Sequence, residues 1–283
     1  MLMRKIGIIL LVGICSILMF GCDELQTMED VEVRGTLTMA TTISTAEAGL
    51  LNYLAPLFLR ASGWELEYIA TETSEALESG RNGEVDIIFV HDPPSEIVFV
   101  AEGFGVARVP VMYNNYVLIG PEHPISYGHD IRAVFIEIYE QELPFVSIGE
   151  DSGVSRRESS IWASLDLNPR NNSNHIIASG GLNASVSLAK QTLSYCLTDR
   201  STWLVLQNND TETGLRIIVE GDSLLFNQYG LIAINPELHP RVNNEAANDF
   251  IDWITSEEVQ TLIARFGIEE FGESLFLPNA DLE

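Results

Sequence analysis

The most constraining feature of this sequence is an apolar run that ends in a cluster of hydroxyl residues and leads directly into an amphipathic helix. Residues 37–40 are mostly apolar, and Thr41, Thr42, Ser44 and Thr45 follow. Apolar side chains then recur on one face of a helix with 3.6 residues per turn, at Leu50, Leu51, Leu54, Leu57 and Phe58. A strand, a polar loop and a helix in this order are typical of α/β folds.

The hydroxyl residues therefore lie at the start of a helix. Ser44 and Glu47 have the spacing of a capping box, which predicts that this helix begins at Ser44. The first N–H groups of a helix lack partners within it and carry a partial positive charge, so a helix start attracts anions. We expect Thr41, Thr42 and Ser44 to bind an anion with oxygen corners. Helix capping alone is the alternative for Ser44.

Strands and helices alternate over the first part of the chain. The pattern predicts strands at 33–40, 64–70 and 85–90, with short helices at 74–80 and within 93–103. Further along, it predicts a strand at 144–147 and helices at 132–141, from about 155, at 184–193 and at 256–265. This alternation indicates an α/β fold with a mostly parallel sheet.

Two segments share a pattern that suggests a connection between two lobes. Residues 113–121 and 226–236 each carry Asn and Tyr before an apolar run that stops at a proline. We interpret them as paired strands that cross between the lobes. The first lobe is then expected to contain residues 33–114 and 226–283, and the second lobe residues 115–225.

The N-terminal residues are typical of an export signal. Arg4 and Lys5 precede an apolar stretch at 6–20, which is short for a membrane helix. Its ending at Gly21 and Cys22 resembles a bacterial lipobox. We therefore expect 1–21 to be a signal peptide, Cys22 to be lipidated and 22–32 to be a tether, in a protein anchored outside the cytoplasm. A plain signal peptide or an uncleaved anchor is the alternative.

Charge and cysteine content exclude several classes of function. The formal net charge of −26 argues against binding nucleic acid. With Cys22 lipidated and Cys15 removed, Cys196 is the remaining thiol, so no intrachain disulfide is expected. No Cys and His set has metal-ligand spacing, and no metal or cofactor is expected. Because salt screens exposed charges beyond about 10 Å, an acidic protein can still hold an anion in a dry cleft.

Three further segments carry candidate binding residues. Thr73 and Ser74 open the second predicted helix, while Ser152 and Gly153 open the helix that contains Trp162. Each pair is placed to bind an anion at a helix start, with ordinary capping as the alternative. Arg200 belongs to a Thr-Asp-Arg segment that either positions a loop or contacts the ligand.

A catalytic reading has little support. His91 and Asp92 are adjacent, and together with Ser44 they could suggest a catalytic group. Adjacent residues on an extended chain point apart, so we expect a structural turn there and no enzyme activity.

Six segments in order resemble a known family. They are MATTIS at 39–44, GEVDIIFVHDP at 83–93, AEGFGVARVPVMYNNYVLIGP at 101–121, EDSG at 150–153, LTDRSTW at 197–203 and EGDSLLFNQYGLIAINP at 220–236. Together they resemble the tungstate-binding proteins of ABC transporters, which are bacterial extracellular solute-binding proteins. The resemblance covers about residues 37–266.

The resemblance implies a two-lobe class II periplasmic-binding fold with two crossover strands as a hinge. It also implies a receptor that passes tungstate, or molybdate, to the permease subunits of an ABC importer. Such a receptor is expected to act as a monomer. Two alternatives stay open: a diverged paralogue for another anion or a small organic acid, and a sensory or partner-binding receptor without a transport role.

This sequence departs from the family pattern at several positions. Ile43 stands where the family's first loop has a threonine, Ile148 where an arginine is expected to face the anion, and Val154 where a second threonine is expected. The loop at 71–74 carries Glu72 instead of a Gly-Thr-Gly run. We therefore expect an oxyanion site that lacks a cation and two hydroxyls, and Ile148→Arg is expected to strengthen binding.

Overall fold

A computed structural model of the chain describes residues 32–125, 128–149, 151–209 and 214–280. The expected signal peptide, the lipidation site at Cys22 and the tether through residue 31 lie outside the described residues. Within the described part, no helix is both long and apolar enough to cross a membrane.

The described residues alternate between strands and helices, as the sequence pattern predicts. The strands are β1 (Gly35–Thr42), β2 (Trp64–Thr71), β3 (Ile87–Val90), β4 (Gly105–Gly120), β5 (Phe145–Ile148), β6 (His175–Ala178), β7 (Tyr195–Asp199), β8 (Arg216–Val219), β9 (Phe226–Ile234) and β10 (Leu277–Pro278). The helices are α1 (Ile43–Glu47), α2 (Leu50–Ser62), α3 (Thr73–Arg81), α4 (Pro93–Ala101), α5 (Ile131–Glu140), α6 (Gly153–Ser164), α7 (Gly181–Thr192), α8 (Arg200–Asn209), α9 (Asn244–Ile254), α10 (Glu257–Arg265) and α11 (Ile268–Phe271).

The strands form one mixed sheet in the order β2-β1-β3-β9-β4-β7-β5-β6, with β8 and β10 also paired to β4. Strand β1 is parallel to β2 and β3, and β5 is parallel to β6 and β7. The central strands β4 and β9 run antiparallel to each other. Two parallel groups of strands thus flank a central antiparallel pair.

The long strand β4 joins the two groups. Up to Asn115 it pairs with β9, and from Tyr116 onward it pairs with β7. The predicted pairing of segments 113–121 and 226–236 is therefore confirmed, with Asn114 opposite Asn227. The limits of the two lobes at 114/115 and 225/226 remain a prediction.

Helices cover both faces of each group, so each lobe has a core on either side of its strands. In the group formed by β1, β2, β3 and β9, hereafter the first lobe, Leu37, Phe58 and Phe250 pack on one face. Ile88 and Phe99 pack on the other face. The group formed by β5, β6, β7 and β8, hereafter the second lobe, likewise has two clusters, one around Phe135, Phe145 and Trp162 and one around Val186 and Trp203. Buried parallel strands with helices on both faces are the arrangement expected of an α/β fold.

The predicted start of the first helix is wrong. The expected capping box at Ser44 and Glu47 does not form, because α1 begins one residue earlier and ends at Glu47. The side chain of Thr42 caps α1 by accepting from the N–H of Thr45. Gly49, with φ of +82°, then separates α1 from α2. Its left-handed backbone favours glycine, which explains the break between the two helices.

Candidate functional site

The candidate site lies where two parallel strands of the first lobe end. Strand β1 ends at Thr42 and β3 at Val90, and both carboxyl ends are at the same edge because the strands are parallel. The residue after β3 is His91, and its Nε2 lies 3.1 Å from Oγ1 of Thr42. Ligands of open α/β sheets bind outside the carboxyl ends of the strands, so a ligand is expected to bind at this edge.

A cavity of about 140 Å³ opens at this edge. Four helices begin at its wall: α1 and α3 from the first lobe, and α6 and α7 from the second. The lining residues are Thr42, Ile43, Ser44, Glu47, Glu72, Thr73, His91, Ser152, Gly153, Val154, Gly180, Gly181, Leu182 and Asn183. Each helix start presents N–H groups without intrahelical partners, so the wall carries a concentration of positive partial charge.

The start of α1 holds three hydroxyls close to His91. Thr42 Oγ1 lies 2.6 Å from Thr45 Oγ1 and 3.3 Å from Ser44 Oγ. Ser44 Oγ in turn lies 3.5 Å from His91 Nε2. Thr42 is 5% exposed, and Ser44 is half-buried. Ser44 is therefore the hydroxyl of this group with more freedom to turn toward the cavity.

The start of α6 packs directly against His91. Ser152 caps the helix, since its hydroxyl accepts from the N–H of Ser155 at 3.1 Å while the Ser155 hydroxyl accepts from the N–H of Ser152 at 2.8 Å. A Cβ on Gly153 would lie only 2.6 Å from His91 Cε1 and 3.0 Å from the Tyr116 hydroxyl. Glycine is thus required for the second lobe to approach this closely.

The starts of α3 and α7 complete the wall. Glu72 is the capping residue of α3, and Thr73 is 1% exposed. Helix α7 begins at Gly181, three residues before the predicted start at 184, and Gly180 and Gly181 have φ of +98° and +77°. None of the residues predicted to bind the ligand lies at the start of α7. The pair of glycines before an amphipathic helix is the signal that could have revealed it.

Two polar contacts bridge the lobes beside the cavity. The amide of Asn183 on α7 donates to Oε2 of Glu47 on α1 at 3.0 Å. Arg156 on α6 donates to Asp92 at the start of α4 and, at 2.6–2.7 Å, to both carboxylate oxygens of Asp151. These contacts join α7 to α1 and α6 to the start of α4 beside the cavity.

Electrostatics keep the centre of the site neutral. Burial lowers the pKa of His91, although Asp199 and Asp92 oppose that shift, so the imidazole is uncharged at neutral pH. Among the described residues that line the cavity, no arginine or lysine is present, while Glu47 and Glu72 bring carboxylates. The donors offered to a ligand are hence hydroxyls and main-chain amides, which add no net charge.

The structure brings together five of the eight predicted ligand residues: Thr42, Ser44, Thr73, Ser152 and Gly153. Thr41 does not line the cavity, because its side chain points to the opposite face of β1 and donates to the carbonyl of Phe89 at 2.8 Å. Ser74 is exposed and lines a neighbouring depression with Arg156. Arg200 is paired with Glu220 and Glu273, outside the cavity wall.

Three of the departures from the family pattern are isoleucine or valine residues, and the structure places them differently. Ile43 and Val154 line the cavity, as expected for positions that replace hydroxyl ligands. Ile148 does not line it; the side chain is 6% exposed and packs in the core of the second lobe. This placement does not support the expected gain in anion affinity from Ile148→Arg. An arginine side chain at this position would extend from the core of the second lobe and not from the cavity wall.

The chemistry of the site suits binding. His91 Nδ1 faces the amide oxygen of Asn227 at 3.0 Å, and that amide, unlike a carboxylate, does not supply charge to an imidazole. Asp199 caps α8, since its carboxylate accepts from the N–H of Thr202 at 2.7 Å. Within the described residues, no group of three or more His, Cys, Asp or Glu side chains is arranged to hold a metal ion.

Comparison with known proteins agrees with this geometry. Residues 29–258 match the family model described as PBP superfamily domain. The tungstate-binding protein TupA of Peptoclostridium acidaminophilum is 37% identical over 286 residues, which cover 98% of this chain and 99% of that protein. The TupA protein of Campylobacter jejuni is 37% identical over 226 residues, which cover 79% of this chain and 84% of that protein.

A solved structure shares the fold over nearly all of its length. The tungstate-binding protein TupA from Desulfovibrio alaskensis G20 has a TM-score of 0.81 at 38% identity, covering 87% of this chain and 100% of that chain. With two lobes, paired crossover strands and a cavity at the strand ends, the chain belongs to the PBP superfamily and, within it, to the family of the TupA proteins.

Proposed function

We propose that this protein is the solute-binding receptor of an ABC importer and that it captures a tetrahedral oxyanion, tungstate first and molybdate second. The observation that carries the proposal is the convergence of four helix starts on one cavity of about 140 Å³. Unpaired N–H groups and hydroxyls can surround an anion that has four oxygen corners. The names of the TupA relatives support tungstate as the first choice.

Capture of this kind requires no covalent chemistry, and the receptor is proposed to be non-catalytic. The anion docks on the first lobe, and the second lobe closes by bringing the starts of α6 and α7 to it. Exclusion of water strengthens each hydrogen bond to the ligand. The closed form is then the one that the permease subunits recognise. The receptor is proposed to act as a monomer outside the cytoplasm, anchored through lipid on Cys22.

A second candidate is a receptor for another anion or a small organic acid. It is favoured by the carboxylates of Glu47 and Glu72 in the wall and by the lack of arginine and lysine among the described lining residues. Carboxylates repel a doubly charged oxyanion and can accept hydrogen bonds from a ligand hydroxyl.

Calorimetric titration separates these candidates. The protein without its signal segment is titrated with tungstate, molybdate, sulfate and phosphate. We expect saturable binding of one tungstate or molybdate per chain, and a loss of about tenfold in affinity for Ser44→Ala, because one hydrogen bond to a charged group contributes about 1.5 kcal/mol.

The matched control is Ser160→Ala on the exposed side of α6, which should bind like the unmodified protein. Saturable binding of phosphate or of an organic acid alone would select the second candidate. Absence of saturable binding with all four anions would contradict the proposed function.

A further inference from the structure

A directed chain of hydrogen bonds runs from Asp199 to the cavity. The Asp199 carboxylate accepts from the Ser201 hydroxyl at 2.6 Å, so this hydroxyl has no hydrogen left to donate elsewhere. Ser201 must then accept from the amide of Asn114, at 3.3 Å, and the oxygen of Asn114 accepts from Asn227 at 2.7 Å. The remaining oxygen of Asn227 faces His91 Nδ1 at 3.0 Å.

The direction of the chain fixes the tautomer of His91. His91 Nδ1 faces the amide oxygen of Asn227 at 3.0 Å and the hydroxyl of Tyr116 at 3.3 Å. The amide oxygen can only accept, so this nearer contact places the hydrogen on Nδ1, and in the neutral ring Nε2 is then an acceptor. The groups next to Nε2 are the hydroxyls of Thr42, at 3.1 Å, and Ser44, at 3.5 Å. In the neutral state Nε2 has one lone pair and accepts from one of these hydroxyls, whose hydrogen then points to the imidazole and away from a ligand.

Protonation of His91 would give the cavity wall a positive charge. Asp199 and Asp92 favour the charged ring, while Arg156 and burial oppose it. The neighbouring phenols stay neutral, because burial raises the pKa of Tyr116 and of Tyr229. Glu47 and Glu72 also face the cavity, and His91 is the one side chain of the described lining that can become a cation near neutral pH.

We propose that binding of the oxyanion is coupled to uptake of one proton from water onto Nε2 of His91. This inference rests on the proposed function. The imidazolium then donates its Nε2 hydrogen to Thr42 Oγ1, which reverses that hydrogen bond. The hydroxyl that donated to Nε2 is released to donate to the anion, and a positive charge lies beside it. One protonation thus supplies the cation that the cavity wall otherwise lacks.

Proton uptake is measured by titrating tungstate into the protein at pH 7.5 in buffers of different ionisation enthalpy. We expect a net uptake that approaches one proton per anion and an affinity that falls with rising pH, by up to about tenfold per pH unit between pH 7 and 9. His91→Gln, which cannot titrate, should bind without proton uptake and with an affinity independent of pH. His123→Gln, at an exposed histidine, should behave like the unmodified protein.

The outcomes distinguish this inference from the proposed function. Saturable tungstate binding without proton uptake overturns the coupling and leaves the receptor function in place. Uptake that persists in His91→Gln overturns the assignment to His91. Absence of tungstate binding at every pH overturns both.

A second measurement covers the case in which His91→Gln does not fold. Nitrogen NMR of the unmodified protein with labelled histidine should show Nε2 of one histidine changing from unprotonated to protonated on addition of tungstate. An unchanged histidine spectrum in the presence of bound tungstate contradicts the proposal.

Discussion

Gly153 shows how closely the two lobes meet at a single residue. Its α carbon faces the ring of His91 and the hydroxyl of Tyr116, and both partners are buried. No side chain fits between them, since contacts of 2.6–3.0 Å to a Cβ are far inside van der Waals distance. Its backbone is not left-handed, so its role is space, not conformation.

We expect Gly153→Ala to weaken binding of the oxyanion by tenfold or more, because the added methyl group holds α6 away from His91. Overpacking of a buried contact costs about 1–3 kcal/mol. The same calorimetric titration measures the effect, and Ala163→Gly, on the last turn of the same helix, serves as a control for helix stability. An affinity equal to that of the unmodified protein would show that the lobes do not approach this closely when the ligand is bound.

Single residues also show where inference from sequence stops. Thr41 and Thr42 are neighbours on one strand, so alternation of side chains allowed only one of them to face the cavity, and the sequence could have indicated this. The partners of Arg200, by contrast, are 20 and 73 residues away, and no local pattern identifies them. Ile148 is the last residue of β5, next to the predicted strand at 144–147, but the direction of its side chain depends on tertiary packing.

At the scale of elements, most strands of the first lobe were predicted, whereas β6, β7, β8 and α8 of the second lobe were not. Two segments with clear apolar patterns agree with the structure because their apolar side chains must be buried: the continuous run of β3 and the helical stripe of α2. The starts of α1 and α7 were displaced by one and three residues, since caps depend on single side chains and on glycines with positive φ. These displacements matter for the prediction of an anion site, because the helix starts form the wall of that site.

Helix α6 carries a buried carboxyl group on the side that packs against β5. Glu158 on α6 accepts from Ser147 on β5 at 2.5 Å and from Trp162 at 3.3 Å, while its Oε2 is buried without a partner. Burial raises the pKa of Glu158 from 4.5 to about 7, and the two hydrogen bonds only reduce this rise. The folded protein therefore retains a proton that the unfolded chain releases.

We expect this carboxyl to make the protein less stable as the pH rises. Its contribution to the free energy of unfolding is fully present below pH 4.5, decreases as the pH rises to about 7 and stays constant above that value. Glu158→Gln keeps the shape of the side chain without its charge. The difference in free energy of unfolding between this variant and the unmodified protein should therefore shift in favour of the variant by up to about 3 kcal/mol from pH 4.5 to pH 8. Urea unfolding at both pH values measures the difference.

Glu140→Gln, at an exposed position of α5, is the control and should show no such pH-dependent gain. A difference between Glu158→Gln and the unmodified protein that is the same at pH 4.5 and pH 8 would show that Glu158 titrates normally in the folded state.

For the whole molecule, the sequence predicted the two-lobe fold because the resemblance and the alternation of elements agree. The cavity was less accessible to prediction, since its wall combines residues from four helices that are up to about 140 positions apart in the chain, such as Thr42 and Asn183. Distant segments meet only after the sheet has formed, and no local rule states which helix starts will converge.

The net charge of −26 opposes the approach of an anion from solution. Because added salt screens this repulsion, we expect the association rate of tungstate to rise severalfold between 10 and 150 mM NaCl, the Debye length falling from about 30 to 8 Å. Stopped-flow measurement of intrinsic tryptophan fluorescence gives the rate. A rate that falls with salt would show that local positive potential at the cavity dominates the approach.

Strands β4 and β9 are hydrogen-bonded to each other at the point where the chain passes between the lobes, from the pair Gly105 and Ile234 to the pair Asn115 and Phe226. Two separate connections could swivel independently, whereas a two-stranded ribbon bends easily out of its plane and resists sliding along it. The two lobes should consequently rotate about a single axis when the cleft opens, and each closure returns the same amides to the same positions.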